Sequence, residues 1–404
     1  MGKKIGFILF GVFIALLIIE LILRVYNPFE FRVKGDKIFL PYNKRMVIKN
    51  KDIKKLPKTI IHTKNSLGFR GDEPPGGAMK NKIFSKTFEE YFTIIAVGGS
   101  TTECYILPDS KSWPEVLNTL LKQDMDKVWV NNAGLVGHTT FGHYILMRDF
   151  VINLKPNMVI FLIGLNDLGI DRPNPRFDGD LMEGGKFRDE DILKNTRSRG
   201  LCFSTSLCFV ESVANYSEAV NLFLNLYRNY ISLKVVPVPA KASVIVPGGA
   251  DGTELDLLTY AHIPIDYSKK IHTDDRLMGY KERIKSLIYI SKENGIEPVF
   301  VTQPVLYGKG VDDVSGVNLE TIEMYPGSNG YEQLLILERY NDVLRQVGIE
   351  ENVFVIDAAH KMPHSSKYYY DFVHYTIEGA DKLAQIIAVE LYPYLKNKQF
   401  EVSP

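Results

Sequence analysis

Five short runs rich in β-branched and apolar residues, at 93–97, 128–131, 158–163, 298–302 and 353–356, alternate with longer segments of helical periodicity. That alternation restricts the chain more than any other feature. Runs of four to six residues without polar alternation read as strands buried on both faces. Strands separated by helices form a parallel sheet, because returning to the same end of the sheet takes a crossover of a dozen residues or more. The expected class is α/β, with helices covering both faces of a parallel five-stranded sheet in three α/β/α layers. The helical segments carry boundary signals. "SWPEVLNTLLKQ" offers Ser112 as a cap, Pro114 in the first turn and Glu115 to complete a capping box. A helix is predicted over about 141–153, ending before Pro156. "DDRLMGYKERIKSLIYISKENG" and "EQLLILERYNDVLRQVG" each close on a helix-ending glycine, and "TIEGADKLAQIIAVELYPYL" comes last.

The N-terminus obeys a different rule. Between Ile5 and Leu23 every residue is apolar or glycine except Glu20, about the length that crosses a bilayer core as a helix. No small-residue cleavage site follows it; "LRVYNPFEF" is bulky. Residues 1–25 are therefore expected to be an uncleaved single-pass transmembrane anchor. Basic residues flank both sides, so the charge count alone does not orient it, and the rest of the chain is expected outside the cytoplasm. Residues 26–90 read as a polar juxtamembrane segment, and 91–400 as the main domain. That domain is interrupted at about 168–273 by an insertion containing the helical stretch "NYSEAVNLFLNLYRNYISL" and the loop "VPGGADGTE".

Charge and cysteine content exclude several classes. Lys plus Arg and Asp plus Glu both number 48 in 404 residues, and no basic tract with interleaved aromatics occurs, so nucleic acid is not an expected partner. The three cysteines, Cys104, Cys202 and Cys208, have no C-x-x-C spacing and predict no thiolate metal site. Cys202 and Cys208 are either a small disulfide loop or two free thiols. Neither the fold nor the chemistry below calls for a metal or organic cofactor, and oligomeric state is not readable.

In an open parallel sheet, ligands bind beyond the C-terminal ends of the strands. The residues at those ends are Gly98-Gly99-Ser100-Thr101, then Asn132-Ala133-Gly134-Leu135-Val136-Gly137, then Gly164-Leu165-Asn166-Asp167. The first lacks the lysine of a P-loop and the spacing of a dinucleotide fingerprint, which leaves a turn or a nucleophile. Near the C-terminus "YYYDFVHYTIEGADKLA" places Asp371 three residues before His374. A serine hydroxyl needs a base to take its proton, best a histidine oriented by a carboxylate. A developing oxyanion needs fixed donors, for which the Ser100 N–H, the Gly137 N–H and the Asn166 amide are candidates.

With these four blocks in this order, the chain resembles the SGNH hydrolase family, also called the GDSL esterases and lipases. Ser100 matches the Ser block, Gly137 the Gly block, Asn166 in G-L-N-D the Asn block, and Asp371-x-x-His374 the last block. The resemblance covers residues 91–395 outside the insertion. It implies a flavodoxin-like fold and a membrane-tethered serine esterase with Ser100, His374 and Asp371 as the triad. Its substrate would be an ester-containing small molecule, lipid or glycan. An O-acyltransferase acting on an envelope polysaccharide and a silent binding protein are the alternatives. Gly99 stands where the family signature has Asp.

A second Asp-x-x-His, Asp357 to His360, has the same spacing but directly ends a strand, so the later pair is preferred. His138 and His143 read as structural, Asp167 as a partner of loop amides, and Arg70 as a salt-bridge residue. Trp113 and Tyr368 to Tyr370 read as packing, and Thr302-Gln303-Pro304, ending the fourth strand, as either a substrate contact or a loop turn.

Overall fold

The computed structural model describes residues 2–26, 33–34, 37–38, 40–51, 53–77, 86–168, 205–235, 255–268 and 274–397. They fall into two compact units, one drawn from Met1–Pro41 and Arg172–Ala240, the other from Tyr42–Asp171 and Lys241–Pro404.

The larger unit is built on β1 (Phe92–Gly98), β2 (Val128–Asn132), β3 (Met158–Leu162), β4 (Glu297–Val301) and β5 (Phe354–Ile356). All neighbours are parallel, in the order β2-β1-β3-β4-β5. This is the expected flavodoxin-like sheet, and each strand lies within a residue or so of the run that predicted it. Every residue of the central strands β1 and β3 is buried, which is why they read as continuous apolar runs. Ile94, Ile95 and Ile160 have no exposed surface, and each such burial contributes about 2 kcal/mol. The strand order reverses between β1 and β3, which puts a crevice at their C-terminal ends.

The described helices begin with α1 (Gly2–Val25) and a single turn, α2 (Ser100–Glu103). They continue with α3 (Trp113–Leu121), α4 (Thr140–Leu146), α5 (Thr205–Ala214) and α6 (Glu218–Val235). Three long helices follow: α7 (Asp274–Glu293), α8 (Gly330–Glu350) and α9 (Ile377–Asn397). α3 and α9 pack together on one side of the sheet, while α7 packs with α4 and α8 on the other. α4 runs through a π-helical turn, Met147–Val151, into Ile152–Leu154, and stops at Lys155 with φ 49° ahead of Pro156.

Three local expectations change. Ser112 sits at the start of α3, but its hydroxyl donates to the Asp109 carbonyl and does not cap the helix. Gly348 lies inside α8, where a Cβ would come within 2.4 Å of Val355 Cγ2; its role is close packing against β5, not helix termination. The third concerns residues 26–90, which are not one juxtamembrane segment: from Tyr42 onward they belong to the larger unit. Lys44–Lys49 and Thr59–Lys64 form an antiparallel hairpin whose inner face carries Ile60, His62 and Lys64, following the two-residue strand period. Arg70 bridges from there to Asn132 at the end of β2.

The smaller unit contains α1, α5 and α6. Lys4–Val25 is 22 residues with mean hydropathy 2.9, long and apolar enough to cross a membrane, and none of its apolar window is buried. α6 occupies the helical stretch predicted inside the insertion. The side chains of Cys202 and Cys208 lie outside the described residues.

Candidate active site

The turn after β1 is tightly packed. A Cβ on Gly98 would fall 2.1 Å from Thr102 Oγ1 and 2.6 Å from the Leu162 carbonyl, and one on Gly99 would fall 2.4 Å from Asn166 Nδ2. At Gly98 the Leu162 backbone leaves no room for a side chain, and at Gly99 the Asn166 amide occupies the space a Cβ would take. The chain then enters α2 at Ser100 and leaves it through Cys104, which has a left-handed φ of 51°.

The one-turn helix is held from several sides. Trp113 Nε1 donates to the Thr101 carbonyl at 3.2 Å and Asn132 Nδ2 to the Thr102 carbonyl at 2.8 Å. Thr101 Oγ1 donates to Gln303 Oε1 at 3.1 Å. The fully buried Arg70 guanidinium donates to the carbonyls of Glu103, Cys104 and Leu107 and, through Nε, to Asp109 at 2.8 Å. It therefore satisfies the orphan carbonyls at the C-terminal end of the turn that begins with Ser100. Glu103 has one oxygen on Lys64 Nζ at 2.9 Å and the other on the Val136 N–H at 2.8 Å, tying the turn to the loop that carries Gly137.

His374 lies in the loop before α9. Its Nδ1–H donates to Asp371 Oδ2 at 2.6 Å, which leaves Nε2 to accept from the Ser100 hydroxyl at 2.8 Å. Asp371 is buried, and its second oxygen accepts the N–H groups of Val373 at 2.8 Å and His374 at 2.6 Å, so the loop folds around the carboxylate. The His374 side chain keeps 23% of its surface exposed. The Tyr370 ring lies parallel to the imidazole, 8° between planes. Burial disfavours the imidazolium, but the charge and hydrogen bond of Asp371 outweigh it and raise the His374 pKa above 6.5.

Gly137 has φ 77°, a conformation that favours glycine, and among the described residues neither its N–H nor that of Ser100 has an acceptor. Asn166 sits in a short 3-10 turn, Leu165–Asp167, entered through Gly164 at φ 114°. One of its amide hydrogens goes to the His138 carbonyl at 2.9 Å, leaving the other for a ligand. Ser100, Gly137, Asn166 and His374 are each half-buried, within a surrounding core that is closed. A small recess adjoins Ser100 and His374, walled by Cys104, Ile106, Leu107, Tyr370 and Tyr375.

Residues expected to be structural sit behind this surface. Asp167 is buried and accepts from the Thr140 N–H and hydroxyl, with Arg283 alongside at 3.6 Å. Burial of His143 pushes its pKa down to about 3, so it is a neutral imidazole. The earlier Asp-x-x-His also forms its hydrogen bond, His360 Nδ1 to Asp357 Oδ2 at 2.7 Å, but His360 is 60% exposed and its Nε2 faces Glu338 at 3.4 Å. Glu103, Lys64 and the carbonyl-binding role of Arg70 were not anticipated. The only available signals were an arginine between glycines in "GFRGDE" and the alternation that turns Lys64 inward.

Residues 96–254 match the GDSL-like Lipase/Acylhydrolase family, a span that includes Ser100, Gly137 and Asn166 and ends before Asp371 and His374. Among curated proteins no sequence match is found. Similar solved structures include a lipase/acylhydrolase from Enterococcus faecalis, at 14% identity and TM-score 0.38 over 75% of this chain and 96% of that one. An acetylxylan esterase from Geobacillus stearothermophilus matches at 13% identity and TM-score 0.37, over 77% and 96%. A GDSL-like lipase from Bacteroides thetaiotaomicron matches at 12% identity and TM-score 0.37, over 78% and 93%. By the match over residues 96–254, the chain carries a GDSL-like lipase/acylhydrolase domain and is an ester-hydrolysing enzyme.

Proposed function

We propose that this enzyme is a membrane-tethered serine esterase using Ser100, His374 and Asp371 as its catalytic triad. The observation that carries the reading is the position of one imidazole between the Ser100 hydroxyl, at 2.8 Å, and the Asp371 carboxylate, at 2.6 Å. Ser100 Oγ attacks the ester carbonyl while His374 Nε2 takes its proton. Asp371 stays ionised, holds Nδ1 protonated and stabilises the imidazolium. The tetrahedral oxyanion is received by the Ser100 N–H, the Gly137 N–H and the second amide hydrogen of Asn166. Collapse expels the alkoxide, which takes the proton from His374. Water then attacks the acyl-serine by the same route in reverse, releasing the acid and restoring Ser100.

The substrate class is an ester-containing small molecule, lipid or glycan, whose carbonyl would sit in the recess beside Ser100 and His374. α1 supplies the tether, its apolar length being enough to cross a bilayer; the catalytic unit lies outside the cytoplasm in this reading.

Hydrolysis of p-nitrophenyl acetate, butyrate and octanoate by the full-length protein and by Ser100→Ala tests the reading. Turnover of these esters is expected in the wild type, with the activity lost in the variant. Undiminished activity in Ser100→Ala would overturn the assignment of the nucleophile.

A further inference from the structure

α6 wears its polarity inside out. On its first turns Asn221, Leu224 and Asn225, spaced as one face of a helix, are buried at 3%, 2% and 7% exposure. The opposite face, Phe223, Leu226 and Tyr227, is exposed at 69%, 53% and 47%. Phe209 on α5 and Tyr216 in the turn between the helices add 70% and 80% exposure. A helix on a water-washed surface shows the reverse arrangement, asparagines outward and phenylalanine and leucine inward.

The start of α6 is joined to the end of α1. Glu20 accepts from the Ser217 hydroxyl at 2.8 Å and from the N–H groups of Glu218 at 3.1 Å and Ala219 at 3.0 Å. A carboxylate from α1 therefore satisfies the orphan donors of the α6 first turn, where negative charge is favoured. Arg24 donates from Nε to Glu20 at 2.7 Å and from its guanidinium to the Tyr216 carbonyl at 2.7 Å. Along α1 the contact is confined to this end: Leu23 is buried, whereas Phe13, Leu16 and Ile19 stay exposed. Glu20 to Arg24 is where the apolar run gives way to polar chain, which in a spanning helix is the headgroup level. Tyrosines and snorkelling arginines belong at that depth.

We propose that α5 and α6 form a collar lying in the bilayer interface beside α1, with Phe223, Leu226 and Tyr227 among the lipid headgroups and upper acyl chains. This rests on reading α1 as the membrane anchor. The occupant of the exposed face is the lipid surface. Such an element holds its apolar side in the headgroup boundary while its backbone remains internally bonded. Here the inward asparagines meet protein and the anchor carboxylate closes the helix end.

The test uses the full-length protein in phosphatidylcholine–phosphatidylglycerol vesicles. An environment-sensitive fluorescent amino acid replaces Phe223, Tyr227, Phe13 or Asp342 one at a time, leaving the native cysteines untouched. Lipids with a nitroxide near the headgroup and aqueous iodide are the two quenchers. Positions 223 and 227 are expected to be quenched by the shallow nitroxide and shielded from iodide, with 13 in lipid and 342 in water. Iodide quenching at 223 and 227 while 13 remains in lipid would overturn the collar and leave the anchor standing. Iodide quenching at 13 as well would remove the anchor and the collar together. Shielding of 223 and 227 from both quenchers would mean that protein covers the face, and would equally overturn the proposal.

Discussion

The chain builds the same four-residue device twice, and only one copy meets a serine. In both Asp371–His374 and Asp357–His360 the imidazole Nδ1 meets the carboxylate, at 2.6 and 2.7 Å. They differ at the other nitrogen and in their surroundings. His374 Nε2 meets the Ser100 hydroxyl at 2.8 Å, and its aspartate is fully buried with two backbone N–H groups on its free oxygen. His360 Nε2 faces Glu338 at 3.4 Å, its ring is 60% exposed, and its aspartate is shared with Arg345 and Thr302. Spacing produces the hydrogen-bonded pair; what lies opposite Nε2 decides whether that pair can activate anything.

Replacing each histidine by alanine separates the two copies most widely. His374→Ala is expected to lower kcat on a short ester by on the order of a million-fold, as removal of a triad base does, whereas His360→Ala leaves it unchanged. A comparable loss from both would erase the distinction. The aspartates come next. Asp371→Asn should cost about ten-thousand-fold in kcat, because the imidazole is left in the wrong tautomer.

Asp357→Asn should spare kcat and act instead on acid stability. Burial opposes ionisation of Asp357, yet hydrogen bonds from Arg345 and Thr302 hold its pKa down to about 2. A depressed carboxylate contributes stability above its unfolded value of 3.8, and that contribution is lost as pH falls through about 2. The gap in Tm between wild type and Asp357→Asn should therefore narrow as pH drops across that window, which calorimetry at stepped pH would record.

Asn166→Ala should cost about a hundred- to a thousand-fold in kcat. Gly99→Ala should lower activity through the same amide, whose Nδ2 lies 2.4 Å from where the new Cβ would stand. In an Asn166→Ala background it should then cost little more; additive losses in a double-mutant cycle would mean that Gly99 serves the turn by another route. The smallest effect is on pH dependence. His374 must be neutral to accept a proton, and Asp371 raises its pKa, so kcat/KM should fall on acidification with a midpoint above 6.5. In Asp371→Asn that midpoint should move down, while Asp357→Asn should not shift it.

The sheet was legible because burial on both faces writes a strand as an apolar run, and the candidate site residues stand just beyond such runs or in the loop before the last helix. Long-range packing was not legible. Arg70 gathers three carbonyls more than thirty residues downstream, and nothing local to "GFRGDE" announces them. Lys64 and Glu103 meet across 39 positions of sequence. Gly348 looked like a helix end because a glycine near the close of an amphipathic run has that meaning unless another strand presses on it, as β5 does through Val355. Gly99 looked like a lost side chain until Asn166 was seen to fill its place.

The central claim, that one serine is activated by one of two similar Asp–His pairs, is tested most directly by fluorophosphonate labelling followed by peptide mapping. The account predicts a single adduct on Ser100, formed at the wild-type rate in His360→Ala and abolished or slowed by orders of magnitude in His374→Ala. An adduct on another residue, or undiminished labelling of Ser100 in His374→Ala, would contradict it.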